Sequence, residues 1–234
     1  MKKVVLSILT AATLLMMSAC SSMSTTGKGA LIGTGGGAAI GAALGALIGH
    51  NGKGAAIGAA IGTAVGAGTG AAIGKAMQNK QEKLAQELAN QAQVETITDA
   101  NGLTAIKVTF DADMTFPKNG YTLKSAAQSA VKKFATNINT ADLINTEIQI
   151  KGHTDSSGGD RINQPLSEKR AKAVGDILRA NGVSNTRIVE MGLASSEPIT
   201  GNAADAANRR VEVYVLATEA MVKQYANAQY CHHQ

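Results

Sequence analysis

The chain has 234 residues, a formal net charge of +5, 26 glycines, no tryptophan and an aromatic content of only 3%. This length allows one or two domains with a real core. No cluster of basic residues is interleaved with aromatic residues, which argues against a nucleic-acid-binding protein, and the mild positive charge suits contact with anionic polymers.

Residues 1–19 have the pattern of a secretory signal. A short basic start, Lys2-Lys3, precedes an apolar run that ends at Met17 and is too short for a stable membrane span. The small residues Ser18-Ala19 then provide a cleavage site. We therefore predict a signal peptide that is removed after residue 19.

A cysteine, Cys20, directly follows the cleavage site. Residues 17–20 resemble a bacterial lipoprotein box, which implies that Cys20 is acylated and that residues 20–26 form a lipidated tether. In lipoproteins of this kind, an aspartate directly after the cysteine favours retention at the inner membrane. This chain has Ser21 at that position, so the same resemblance implies sorting to the outer membrane. The alternative is a plain secretory signal in which Cys20 occurs by chance.

Residues 27–77 contain glycine at every fourth position in two runs without charged residues, separated by the polar residues 50–53. The repeated glycines are Gly33, Gly37, Gly41, Gly45 and Gly49, then Gly54, Gly58, Gly62, Gly66, Gly70 and Gly74. On a helix this spacing makes a glycine stripe that lets two helices approach closely in a membrane. Each run, 29–49 and 54–74, would be about 31 Å long as a helix, which matches a hydrocarbon core.

This stretch resembles the glycine-zipper segments found next to lipoprotein boxes, and we interpret residues 27–77 as a membrane-associated, self-associating hairpin. Two alternatives stay open. One is a Gly/Ala spacer that packs weakly, and the other is a pore-forming or membrane-permeabilising protein built on the hairpin. The absence of an acidic residue in the two runs argues against an ion-driven stator.

The segments on either side of the C-terminal domain have simpler patterns. Residues 78–93 are polar and rich in helix formers, with a narrow apolar seam at Leu84 and Leu88, which predicts a connecting helix that carries the domain away from the membrane. Residues 218–234 are expected to be a C-terminal tail. Its Cys231-His232-His233 group is more simply a chance cluster at a frayed end than a metal site.

Residues 94–217 have the pattern of an α/β domain. Alternating residues on both sides of Asn101-Gly102 predict a hairpin. The predicted elements are strands over residues 94–98, 103–108, 147–151, 187–191 and 210–217, and helices over 123–137 and 167–181. Their order predicts an α/β (α+β) sandwich of the βαβαββ type, with one mixed sheet and the helices on one face.

The junction after strand 147–151 carries two opposite charges. A glycine-hinged loop ends on Asp155, and Ser167 has the properties of an N-cap for a helix that carries Arg170 one turn later. A carboxylate and a guanidinium held side by side match the ammonium and carboxylate of an α-amino acid. From the pair alone, an ordinary surface salt bridge is the favoured interpretation.

The wider pattern resembles a known family. It comprises Gly152-His153-Thr154-Asp155-Ser156-Ser157-Gly158, Asn163, Leu166-Ser167-x-x-Arg170-Ala171, Gly182-Val183, Arg187-Ile188, Gly192, Pro198-Ile199, Asn202 and Asn208-Arg209-Arg210-Val211-Glu212. Over roughly residues 103–217 it closely resembles the OmpA-like peptidoglycan-binding domain of outer-membrane porin tails, peptidoglycan-associated lipoproteins and flagellar stator proteins. The family commonly has a glycine where this chain has Ala194.

The resemblance implies a ligand and the residues that bind it. Asp155 would pair with the ammonium, and Arg170 with the carboxylate, of diaminopimelate or a similar amino acid in a peptidoglycan stem peptide. Arg209 and Arg210 would hold the last strand and the site loop together. The remaining contacts would come from Thr154, Asn163 and Leu166 on the loop side and from Phe110 and Asp111 on an opposite wall.

No catalysis and no cofactor are implied. A hydrolase built from His153, Asp155 and a serine at 156 or 157 is not predicted, because neighbouring strand residues point to opposite sides and the sequence has neither a nucleophile elbow nor metal-ligand spacing. The expected function is a non-catalytic outer-membrane lipoprotein that tethers the outer membrane to peptidoglycan. The sequence leaves open the preferred stem peptide and whether the chain forms a homo-oligomer.

Overall fold

The structure of the protein is a computed structural model that describes residues 67–117 and 119–231. The signal peptide, Cys20, the tether and the glycine hairpin as far as residue 66 lie outside the described residues. Predictions for those segments are therefore not tested by the fold.

Five strands form one mixed sheet in the order β1-β2-β5-β3-β4. The strands are β1 Gln93–Thr98, β2 Thr104–Asp111, β3 Thr146–His153, β4 Ile188–Gly192 and β5 Arg210–Ala217. The pairs β1–β2, β2–β5 and β5–β3 are antiparallel, whereas β4 runs parallel to β3. The predicted hairpin between β1 and β2 is confirmed, and the carboxylate of Asp99 accepts hydrogen bonds from the backbone of Asn101 and Leu103 across its turn.

Helices pack on this sheet and enclose one hydrophobic core with it. They are α1 Ala67–Leu88, α2 Ala112–Thr115, α3 Ser125–Ile138, α4 Asp160–Ala180 and α5 Glu219–Cys231. Alternate residues of the central strands supply the sheet side of the core, as the two-residue period of a strand requires. The buried set includes Ile106, Val108, Phe110, Ile148, Ile150, Val211, Val213 and Val215. The predicted mixed sheet with packed helices is confirmed.

Helix α1 belongs to this domain and is not a connecting helix over residues 78–93, so that prediction is wrong. Its buried residues recur at helical spacing and pack toward β1 and β2. They are Thr69, Ile73, Met77, Leu84 and Leu88, all 4% exposed or less. The seam at Leu84 and Leu88 looked narrow because its first half lay within the glycine-rich segment.

The second glycine run therefore ends inside the folded domain. Its last residues form the first two turns of α1, and a Cβ on Gly74 would lie 3.3 Å from the Oγ1 of Thr104 on β2. Residues 67–74 of the predicted arm over residues 54–74 therefore pack in the folded domain. Residues 54–66 lie outside the described residues, so the hairpin stays a prediction. Within residues 67–117 and 119–231, no helix combines the length and the apolar character needed to cross a bilayer.

The C-terminal segment also departs from the expected tail. Residues 219–231 form helix α5, which packs against α1. Met221 and Val222 are 0% and 1% exposed, and Tyr225 packs against the core. These apolar residues recur at i, i+1 and i+4, which gives the short helix one buried face.

Helix α4 begins at Asp160, not at the predicted cap Ser167. The Ser167 hydroxyl donates to the carbonyl oxygen of Gln164 at 2.8 Å and accepts from the backbone N–H of Ala194 at 3.1 Å. A serine inside a helix can bond a carbonyl of the preceding turn, so its chemistry does not require a helix end. The predicted end is confirmed, because the helix stops at Ala180 and Gly182 follows with φ 87°.

Two glycines allow α4 to lie directly on the sheet. Gly152 of β3 and Gly192 of β4 are paired in register. A Cβ on Gly152 would overlap the backbone carbonyl oxygen of Ser167, and a Cβ on Gly192 would lie 2.7 Å from the Ser167 hydroxyl oxygen. Any larger residue at either position would displace the helix.

A buried arginine closes the end of the sheet far from this crossing. Arg187 is 8% exposed and donates to the carbonyl oxygens of Thr146, Ile138 and Leu143 at 2.9, 3.1 and 2.9 Å. Burial lowers the pKa of its guanidinium. In this position Arg187 is a structural residue that holds the chain between α3 and β3.

The backbone of Ala194, which follows β4, has φ 46°. This left-handed conformation costs an L-residue with a Cβ roughly 1–2 kcal/mol. Hydrogen bonds hold it there, because its carbonyl oxygen accepts from the N–H of Thr154 at 2.8 Å while its own N–H donates to Ser167. The position where the resembled family commonly has glycine is thus one where glycine is the less strained residue.

We predict that Leu84→Ala lowers the free energy of unfolding by about 2–5 kcal/mol, because it leaves a cavity between α1 and the sheet. Chemical denaturation of the purified protein measures the change. Gln86→Ala, on the exposed side of the same helix, is the control and should have little effect. Equal stability of the Leu84→Ala variant and the wild type would show that α1 does not pack on the domain.

We predict that Ala194→Gly raises the free energy of unfolding by up to about 1 kcal/mol. Relief of the left-handed strain is partly offset by the greater freedom of glycine in the unfolded chain, which is worth roughly 0.4–1 kcal/mol. Ala173→Gly in the middle of α4 is the matched control and should lower stability by about 1 kcal/mol. A similar loss in both variants would contradict the strain at Ala194.

Candidate functional site

The candidate site lies where β3 ends beneath α4. Thr154 and Asp155 extend the strand beyond His153, and a 3-10 turn over Ser156–Gly158 follows. Gly159, with φ 65°, then reverses the chain into α4. The loop therefore delivers Asp155 to the N-terminal half of the helix that carries Arg170, as the sequence predicted.

Asp155 is 8% exposed and its carboxylate is held from two sides. Its Oδ2 accepts from Nη1 of Arg209 at 2.8 Å, and its Oδ1 accepts from the backbone N–H of Ser157 at 2.9 Å. Burial by itself would raise the pKa of Asp155, but the hydrogen bonds from Arg209 and Ser157 outweigh it and lower the pKa below 3.8. The group is an anion at neutral pH, and a carboxylate with about four lone-pair positions can accept further N–H donors.

A polar stripe on α4 faces the end of β3. Asn163, Ser167 and Arg170 are spaced i, i+4 and i+7, and each is 4% exposed or less. The side-chain amide of Asn163 donates to the backbone oxygen of Asp155 at 2.8 Å, which ties the helix to the loop. Because helical side chains lean toward the N-terminus, the stripe directs Arg170 toward the end of the helix where Asp155 lies.

The segment after α2 wraps the guanidinium of Arg170. Its Nε donates to the carbonyl oxygen of Gly120 at 3.0 Å, and its Cζ lies 5.2 Å from the centre of the Phe116 ring. Arg170 is 3% exposed, so its charge sits in surroundings of low polarity, where a carboxylate is attracted more strongly than in water. No local pattern in the sequence pointed to Phe116 or Gly120, because their segment fits the family pattern only loosely.

Thr154 lies on the loop, whereas Asn163 and Leu166, which were expected on the loop side, lie within α4. Thr154 is 4% exposed, and among the described residues its Oγ1 has no hydrogen-bond partner. A buried hydroxyl in this state is suited to a ligand or a water molecule. Leu166 is half-buried on α4, between Asn163 and Arg170 in sequence.

Phe110 does not form an exposed wall of the site, so that prediction is wrong. It is 1% exposed and belongs to the hydrophobic core, on the same side of β2 as Ile106 and Val108. The next residue, Asp111, is exposed and lies opposite Arg210 in the register of β2 and β5. Its contact with a ligand stays a prediction.

A buried ionic group on the other face of the sheet holds the loop that follows β4. Glu212 is 2% exposed and accepts from Nε of Arg210 at 2.8 Å, while Nη2 of Arg210 donates to the carbonyl oxygen of Glu197 at 3.1 Å. Burial would raise the pKa of Glu212, but the nearby His153 ring and the hydrogen bonds from Tyr214 and Arg210 outweigh it and keep that pKa far below 4.5. The expectation that Arg209 joins the last strand to the site loop is confirmed by its ion pair with Asp155, whereas Arg210 binds the loop after β4 at Glu197.

Asn208 organises the same loop from within. Its Oδ1 accepts from the N–H of Ile199 at 2.8 Å, and its Nδ2 donates to the carbonyl oxygen of Asn202 at 2.8 Å. In the same loop, the carbonyl oxygen of Ala203 accepts from the backbone N–H of Ser156 at 3.0 Å. Asn208 thus supports the turn that carries Asp155, a role that the motif Asn208-Arg209-Arg210 did not reveal from sequence.

The structure does not bring His153 and Asp155 together as a hydrolase site would require. Nε2 of His153 lies 3.4 Å from Oε2 of Glu212 on the other side of the strand, whereas Asp155 binds Arg209. Two surface depressions, of about 370 and 290 Å³, lie elsewhere, one beside Arg187 and one beside Lys172. Between residues 67 and 231, residue 118 aside, no group of three His, Cys, Asp or Glu side chains could hold a metal.

Comparison with known proteins supports the family resemblance. The profile of the OmpA family matches residues 115–212, and that of the YMGG-like Gly-zipper matches residues 1–78. Outer membrane protein A of Atlantibacter hermannii is 35% identical over 119 residues, which cover 46% of this chain and 49% of that protein. Outer membrane protein A of Salmonella typhi is 34% identical over 128 residues, covering 50% and 37%. The chain therefore spans half or less of the length of these relatives.

A solved structure agrees with the fold. A MotB-like protein from Desulfovibrio vulgaris superimposes with a TM-score of 0.51 and 19% identity, covering 63% of this chain and 94% of that one. At this identity the likeness concerns the fold alone. The chain is therefore similar to the OmpA family over residues 115–212 and to the YMGG-like Gly-zipper family over its first 78 residues.

Proposed function

We propose that the protein is a non-catalytic outer-membrane lipoprotein whose OmpA family domain binds the stem peptide of peptidoglycan. The observation that carries the proposal is the pair of opposite charges at the end of β3, Asp155 and Arg170, which are 8% and 3% exposed. Hydrogen bonds hold each side chain in position: Arg209 and Ser157 donate to Asp155, and Arg170 donates to Gly120. The name of the relatives, outer membrane protein A, supports the envelope location.

The proposed ligand is an α-amino acid centre such as that of diaminopimelate. Its ammonium donates to Asp155 and its carboxylate accepts from Arg170, and the Thr154 hydroxyl is placed for a third polar contact. Charge-assisted hydrogen bonds of this kind are worth roughly 1.5–3 kcal/mol each. A free carboxylic acid or a free amine would make only half of these contacts and bind more weakly.

The proposed tether begins at an acylated Cys20. Since α1 is part of the domain, the link between the lipid and the folded unit consists of residues 21–66 rather than a connecting helix. The alternative of a pore-forming glycine hairpin has less support, because the last part of its second arm packs on β2. The lipoprotein therefore joins an outer-membrane anchor to a wall-binding domain.

We predict that Asp155→Ala and Arg170→Ala each weaken sedimentation with purified sacculi by about ten- to a hundredfold, the loss of one charge-assisted hydrogen bond. The side chain of Arg209, the partner of Asp155, is 30% exposed. Water can therefore solvate Arg209 in the Asp155→Ala variant, and the fold should survive. Asp176→Ala is the matched control, since it removes an exposed carboxylate from α4 outside the site.

A thermal melt of each variant accompanies the binding assay. A folded Asp155→Ala protein that sediments with sacculi as well as the wild type would refute the proposed ligand geometry. Exchanging the two charges should not rescue binding, because the handedness of the α-carbon fixes the order of the ligand's charges.

We predict that Cys20→Ser abolishes incorporation of labelled palmitate and leaves the protein uncleaved or in the soluble envelope fraction. Acyl chains are the proposed anchor, and without them the domain has no lasting hold on the membrane. Cys231→Ser is the matched control and should keep the label. Labelling that survives the Cys20 substitution would rule out the lipoprotein box.

A further inference from the structure

One aromatic side chain lies exposed at the rim of the candidate site. Tyr121 is 48% exposed, whereas Phe110, Phe116 and Phe134 are 1% exposed or less. Tyrosine is enriched at binding interfaces because its ring is apolar and its hydroxyl is polar, so a tyrosine half in solvent beside charged groups is a candidate contact for a partner. The proposed contacts of Asp155 and Arg170 with the amino acid do not involve Tyr121.

The position of Tyr121 is fixed relative to Arg170 from two directions. Its neighbour Gly120 accepts from Nε of Arg170 at 3.0 Å through its carbonyl oxygen. Nζ of Lys169, next to Arg170 on α4, lies 5.2 Å from the centre of the Tyr121 ring. The backbone at 120 and the cation at 169 therefore hold the ring beside the guanidinium.

The surroundings of the ring indicate the chemistry of its partner. The ring offers a flat apolar face, and Lys169 offers a hydrogen-bond donor at its side. A pyranose ring has the complementary character, because its C–H groups form a flat apolar face and its hydroxyl and amide oxygens accept at the edge. The buried charges of Asp155 and Arg170 suit a charged amino acid instead, so the two parts of the site select different parts of one polymer.

We propose that Tyr121 binds a sugar ring of the glycan strand next to the stem peptide, with Lys169 donating to that sugar. The inference rests on the proposed function, since it assumes that Asp155 and Arg170 hold the peptide. In peptidoglycan two amino acids separate the diamino acid from the sugar, and the three links span at least about 10 Å in an extended chain. Tyr121 follows Gly120, which touches Arg170, and is thus within that span of the peptide site.

The test compares two probes by isothermal titration with the full chain in detergent. The first is the free tripeptide L-alanyl-γ-D-glutamyl-diaminopimelate, and the second is the same tripeptide attached to its disaccharide. The variants are Tyr121→Ala and Tyr121→Phe. Ile144→Ala is the matched control, because Ile144 is 42% exposed and precedes β3 at the opposite end from Asp155.

We expect Tyr121→Ala to weaken binding of the disaccharide probe about five- to tenfold and to leave the free tripeptide unchanged, the size expected for one aromatic contact. Tyr121→Phe keeps the ring and should bind both probes like the wild type, as should Ile144→Ala.

Equal weakening of both probes, or of neither, would overturn the role of Tyr121 while the proposed function stands. A wild-type protein that binds neither probe would overturn the proposed function and this inference together.

Discussion

The close approach of α4 to the sheet at Ser167 is the constraint on which the candidate site depends. Paired glycines of β3 and β4 leave no Cβ between the strands and the helix backbone. The distance between the helix and the sheet is therefore fixed at that point. Asn163 lies one turn before the crossing and binds the backbone of Asp155, and Arg170 lies one turn after it. Making room for a single methyl group would move both side chains away from the strand end together.

The charges of the site are also held in place before any ligand arrives. Arg209 and a backbone N–H fix Asp155, while a carbonyl oxygen and the Phe116 ring fix Arg170. A side chain that is already ordered loses little rotamer freedom on binding, so more of the interaction energy is available for affinity. Arg187 shows the same device in a purely structural role, because backbone carbonyl oxygens position its buried cation as well.

The sequence revealed features that depend on local patterns and missed those that depend on distant contacts. Alternation and the Asn101-Gly102 turn were sufficient for the strands and the fold class. The start of α4 was misplaced because Ser167 has cap chemistry, yet its hydroxyl binds Ala194, which lies far along the chain. The pairing of Asp155 with Arg209 likewise joins distant positions. Phe110 was assigned to the site by resemblance to the family, although the alternation of β2 already placed it among core residues.

The glycine repeat shows why spacing alone does not identify a membrane helix. A glycine every fourth residue permits close approach in a bilayer and equally against a sheet, as Gly74 does against Thr104. The apolar stripe of α1 distinguishes packing against a sheet from packing in a bilayer, because it continues beyond the last glycine of the run to Leu88. Lys80 lies in the same helix, donates to Thr140 and pairs with an aspartate of the same loop, so this polar residue also contacts the domain. In the proposed lipoprotein, α1 is therefore part of the domain and adds no length between the domain and the anchor.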